Sequence, residues 1–182
     1  MAADLILGSF DAETWGHVAE ICRRHGLALP SVYSGKADEG WFISLLNDAS
    51  FGFFNAYAAG LEGHYGPDAM EKTAFRNLPW WLESFWLPMD MASPIVDEGV
   101  FIGSSIRLLN ELAEIRRISK IDIAKIPPHY ADMRKDYGNW FGRTADRDDR
   151  LSEDDTLRWV WNALHESAQI SIKRKVPMML AP

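Results

Sequence analysis

Apolar residues recur at intervals of three and four in several stretches of this chain, and that spacing restricts its fold more than any other feature. Trp15, Val18, Ile21 and Cys22 share one helical face, with Arg23, Arg24 and His25 in the last turn and Gly26 as a stop. Ile106, Leu109, Leu112, Ala113, Ile115 and Ile118 make a second such face, and Leu157, Val160, Trp161, Leu164, Ala168 and Ile172 a third. Leu45, Leu46, Ala49, Phe53, Ala56 and Tyr57 form a broader stripe, read as a central helix over Asp38 to Gly60.

Start signals agree with this pattern. Asp11 caps the first helix, Ser104 or Ser105 the helix that runs to about Ser119, and Ser152 the last, with Asp155 three residues on as in a capping box. Pro67 opens a helix through Phe75 or Asn77, and Pro79 a short one, PWWLESFWL, ended by Pro88. Pro127 and Pro128 precede another short helix ending near Tyr137, and Tyr137 to Arg150 reads as a polar loop, as does Leu27 to Ala37. Strand signals are few: Asp4 to Phe10, and a hairpin of Ile95-Val96 with Val100-Phe101-Ile102 around Asp97-Glu98-Gly99. The expectation is a mainly α protein, a single globular domain over residues 1–182 of about six or seven helices, with at most a minor short sheet or hairpin. The length of 182 residues suits one domain with a substantial core.

Compartment follows from the ends and the thiol. Met1-Ala2-Ala3-Asp4 carries no basic, apolar leader pattern, no window of eighteen apolar residues occurs, and the one cysteine, Cys22, excludes an internal disulfide. A cytoplasmic protein with no membrane partner is expected.

Charge is distributed unevenly. Residues 1–91 hold 5 Lys/Arg and 12 Asp/Glu, whereas residues 92–182 hold 14 of each, so the whole net charge of −7 lies in the first half. That half also carries 15 of the 22 aromatic residues. An acidic surface repels phosphate backbones, which argues against nucleic acid as a partner and for steering a basic protein.

No motif names a reaction. His165-Glu166 lacks the second histidine of a zincin helix, since Gln169 stands there. The acidic loop from Asp146 to Asp155 has Arg150 and Leu151 where a calcium loop needs an oxygen ligand and glycine. Gly103-Ser104-Ser105 lacks the second glycine of a nucleophile elbow, and Gly60, Gly63 and Gly66 are followed by no phosphate-binding lysine. Glu62, His64 and Asp68 in that glycine-rich turn are the best acid/base or metal set, and they define the alternative reading: a small metal- or ligand-binding enzyme.

The preferred reading assigns no catalytic residue, metal or cofactor. Trp80, Trp81 and Trp86 crowd one short proline-bounded segment, which one short helix cannot readily bury whole, so they are expected to anchor an interface. Glu62, Asp68, Glu71 and Glu83 supply complementary charge toward a basic protein partner. Small acidic proteins of this build are similar in character to bacterial immunity proteins, which implies an inhibitory domain that neutralises a toxin. A DNA mimic needs carboxylates spaced like phosphates, and the chain has too few in a row to support that reading.

Overall fold

The computed structural model describes residues 3–8, 10–29, 41–45, 48–78, 83–127 and 152–181. Five helices lie among them: α1 (Ala12–Arg24), α2 (Asp48–Leu61), α3 (Ala69–Lys72), α4 (Ser105–Ile118) and α5 (Glu153–Arg174). So do six strands: β1 (Ala3–Leu7), β2 (Trp41–Leu45), β3 (Ser84–Leu87), β4 (Ile95–Asp97), β5 (Val100–Ser104) and β6 (Met178–Ala181). All six join one mixed sheet in the order β2-β1-β6-β3-β5-β4, in which only β3 and β5 run parallel.

This sheet overturns the mainly α expectation. Residues 41–45, read as the start of a central helix, pair antiparallel with β1, and α2 begins only at Asp48. The aromatic and β-branched run WFISL favours a pleated strand over a helix. Ser84 to Leu87, read as part of a tryptophan-rich helix, is a strand buried at all four positions. Covered on both faces, it shows none of the polar alternation that marks a half-exposed strand. The helix expected after Pro67 is a single turn, α3. The short helix before Tyr137, the loop from Tyr137 to Arg150, and most of the Leu27–Ala37 loop lie outside the described residues.

Successive strand residues point to opposite faces, and helices cover both. On one face Phe85, Leu87, Val100 and Ile102 pack with Val18, Ile21 and Cys22 of α1. On the other, Leu5, Leu7, Trp86, Phe101, Met178 and Leu180 pack with α2, α4 and α5. A ring of this size contributes roughly 1.5–3 kcal/mol when fully buried. Gly103 is demanded by this packing: a Cβ there would sit 2.9 Å from both the Phe101 and Trp86 rings.

The expected caps and the hairpin are present. The Asp11 side chain accepts from the Thr14 amide, Ser104 from Arg107 and Ser152 from Asp155. Glu98 and Gly99, with φ of 51° and 80°, make the two-residue turn between β4 and β5. At the far end of α5, Lys175 takes a left-handed conformation, and the Ser171 hydroxyl donates to the Val176 carbonyl at 2.7 Å. That turn directs the chain into β6, which lies between β1 and β3.

Candidate functional site

The residues expected to form an interface do not share one environment. Trp86 is fully buried on β3, its indole N–H donating to the Asn77 carbonyl at 2.7 Å and its ring edge-on to Phe101. It belongs to the core and is withdrawn as an anchor: a two-sided strand hides a ring that an amphipathic helix would expose. Trp80 and Trp81 lie outside the described residues. Glu62 is half-buried, and its Oε2 accepts from the Thr73 hydroxyl at 2.6 Å and the Ala74 amide at 2.8 Å. Asp68, Glu71 and Glu83 are exposed.

Ion pairs engage acids of both halves of the chain, and more of them in the second. Asp90 pairs with Arg107, Glu114 with Arg117, and Asp154 and Asp155 with Arg158. Arg24, at the end of α1, reaches across to the hairpin and donates to Glu98 at 2.7 Å and Asp97 at 2.9 Å, and His25 lies 3.1 Å from Asp97. The His25 hydrogen bond, and then the Arg24 charge, hold the Asp97 carboxyl below its ordinary range. Glu13, Glu62, Asp68, Glu71 and Glu83 make no ion pair with any described residue. Five described acids of the second half, Asp97, Glu98, Glu114, Asp154 and Asp155, are thus ion-paired, as are Glu20 and Asp90 of the first half, while Glu13, Asp68, Glu71 and Glu83 of the first half are exposed and meet no described cation.

Three of the carboxylates converge on one feature. An open cleft of about 390 Å³ is lined by Asp11, Glu13, Thr14 and His17 of the α1 start, Glu83 and Phe85 at the head of β3, and Met179 and Leu180 of β6. Asp11 is fixed by its cap: Oδ1 accepts the Thr14 amide at 2.7 Å and Oδ2 the Thr14 hydroxyl at 3.0 Å, bonds that hold its carboxyl below the usual range. Phe85 is nearly buried and meets Phe10 edge-on at 5.6 Å. The result is an acidic rim over an apolar floor.

The glycine-rich turn does not assemble the expected metal set. Glu62 is occupied by Thr73 and Ala74, and among the described residues no three His, Cys, Asp or Glu side chains are arranged to hold a metal ion. The turn instead displays Tyr65, 78% exposed, whose hydroxyl donates to the Gly60 carbonyl at 3.3 Å. Sequence reasoning passed over this ring, although a tyrosine between two turn glycines was a signal that it would stand clear of the core. His165 stacks on Trp161 at 4.5 Å rather than facing a ligand.

Residues 82–180, which are 99 of the 182, match the sequence model of a family described as "Putative DNA-mimic protein". The chain belongs to this family. The matched span of the DNA-mimic family holds 16 Asp/Glu and 14 Lys/Arg, so most of the net charge, −5 of −7, precedes it. The cleft joins the two parts: Asp11 and Glu13 come from before the span, Glu83 and the floor from within it. The family's description concerns no toxin, and the expectation of a toxin partner is overturned with it. No curated protein and no solved structure matches the chain. Among the described residues no helix is long and apolar enough to cross a membrane.

Proposed function

We propose that this chain is a protein-binding domain whose bare carboxylates take the place of DNA phosphates on the basic surface of a DNA-binding protein. The observation that carries this is a set of four exposed first-half carboxylates, Glu13, Asp68, Glu71 and Glu83, that meet no described cation, whereas Asp97, Glu98, Glu114, Asp154 and Asp155 of the second half are held by arginines. An unpaired carboxylate leaves its field open to an incoming cation, whereas a paired one has little left to offer. The family description supports the same direction.

The objection that too few acids stand in a row applies only along the chain. Asp11 and Glu13 lie about seventy residues before Glu83 in sequence, yet all three line one cleft, so folding supplies a cluster that a linear scan misses. A DNA-binding surface rich in lysine and arginine is complementary to such a cluster, and long-range attraction would speed encounter at low salt.

The test is capture on the immobilised chain followed by elution with a 20-base-pair duplex. The expected result is a DNA-binding protein, held at low salt and released by both the duplex and added salt. Bound proteins that the duplex leaves in place would overturn the mimicry, and so would undiminished capture by the variant carrying Glu13→Gln, Asp68→Asn, Glu71→Gln and Glu83→Gln.

A further inference from the structure

The cleft between α1 and the β3–β6 pair combines features that a general acidic surface lacks. Its rim carries Asp11, Glu13 and Glu83, and its apolar lining includes Met179 and the little-exposed Phe85. We infer that this cleft seats an arginine side chain of the protein partner, a reading that rests on the function proposed above and names its point of contact.

Charge and shape argue together. Glu13 and Glu83 are exposed and make no ion pair with a described residue, so neither must break such a bond to receive a cation. Asp11 is already oriented by Thr14, which leaves it little freedom to lose on binding. The start of α1 opposes a cation with an effective charge of roughly +0.5. Three carboxylates outweigh that, and the cleft remains attractive to positive charge. At about 390 Å³ it lies near the small end of the range, roughly 300–1,000 Å³, that accommodates a compact ligand.

The floor decides between the two basic side chains. A guanidinium is planar, weakly hydrated, stacks on aromatic faces and offers five donors in a fork that matches carboxylates. A lysine ammonium is a compact, strongly hydrated point charge, and it forfeits more hydration on entering a site whose lining includes Phe85 and Met179. Either stem could lie on the apolar residues. The arginine head can meet more than one rim carboxylate while giving up less hydration than an ammonium would.

The experiment titrates the isotope-labelled full chain with acetyl-Gly-Arg-Gly-amide and acetyl-Gly-Lys-Gly-amide while amide shifts are followed. Expected are shifts concentrated at residues 11–17, 83–85 and 179–180, an arginine response about tenfold stronger than the lysine response, and its loss in the Glu13→Gln, Glu83→Gln double variant. Equal response to both peptides, or shifts centred on residues 62–71, would overturn the arginine seat. The double variant is then tested in the duplex-elution capture. If wild type and variant capture a duplex-displaceable protein equally, the seat is overturned and the broader function stands. If wild type captures none, the broader function falls and the seat with it.

Discussion

The carboxylate of Glu111 is wrapped around Asn77. The Asn77 backbone amide donates to both Glu111 oxygens, at 3.0 and 2.8 Å, and its side-chain amide donates to Oε1 at 2.8 Å. Asn77 in turn accepts the Ser104 amide on Oδ1 and the Trp86 indole N–H on its carbonyl. One asparagine thereby ties α4 to the segment before β3 and to the ends of β3 and β5. Burial pushes the Glu111 carboxyl up to about 7 from an ordinary 4.5, against the opposing pull of the Asn77 bonds.

A pH dependence follows from that shift. The folded protein holds the Glu111 proton more tightly than the unfolded chain does. Its contribution to stability is therefore complete below about pH 4.5 and is lost as pH rises through about 7. Urea unfolding of wild type and Glu111→Gln across this range should show wild type losing stability relative to the variant as pH rises, by on the order of 3 kcal/mol at most. Wild type gaining stability relative to the variant would contradict the assignment.

Trp86→Phe separates core from interface. The ring volume is largely kept but the Asn77 carbonyl loses its indole donor, at a cost of about 1–3 kcal/mol measured by denaturant unfolding. Partner capture under conditions where the variant stays folded should match wild type, because the side chain reaches no surface. Weakened capture by a folded variant would return Trp86 to the interface.

Glu62 and Glu71 differ in what they hold. Glu62→Ala removes the acceptor of Thr73 and Ala74 and should lower stability by about 1 kcal/mol. Glu71 is exposed on the single turn of α3 and makes no side-chain bond with a described residue, so Glu71→Gln should stay within about 0.5 kcal/mol. Thermal denaturation of the two variants side by side decides this, and equal losses would refute it.

Cys22 should be chemically silent in the native state. It is buried on α1 beneath the sheet, and burial pushes its thiol up to about 11, so little thiolate exists near neutrality. An aromatic disulfide reagent should label it only once denaturant is added. Rapid stoichiometric labelling of the folded protein would show the site to be open.

The helices and caps were legible because their signals are local. Asp11, Ser104 and Ser152 announce their helices within three residues, and Glu98-Gly99 announces its turn. The strands β2, β3 and β6 were not legible, since their identity comes from partners far along the chain. Phe85 and Trp86 face opposite helical layers, and their run of apolar residues carries no period to read. The site divides in the same way. Glu83 stood out by its charge alone, but its neighbours Asp11 and Glu13 became its neighbours only through the pairing of β6 with β3 and the packing of α1 on that face.

The place of β6 bears on the order in which this protein is made. Residues 178–181 lie between a strand drawn from residues 3–7 and one drawn from residues 84–87, joining the two flanks of the sheet. Until those four residues leave the ribosome, β1 with β2 and β3 with β4 and β5 are separate fragments, each with an open strand edge. Such edges invite pairing with other chains. Shortened products lacking β6 should therefore be insoluble or chaperone-bound, and the two flanks should unite only when that strand slots into the gap.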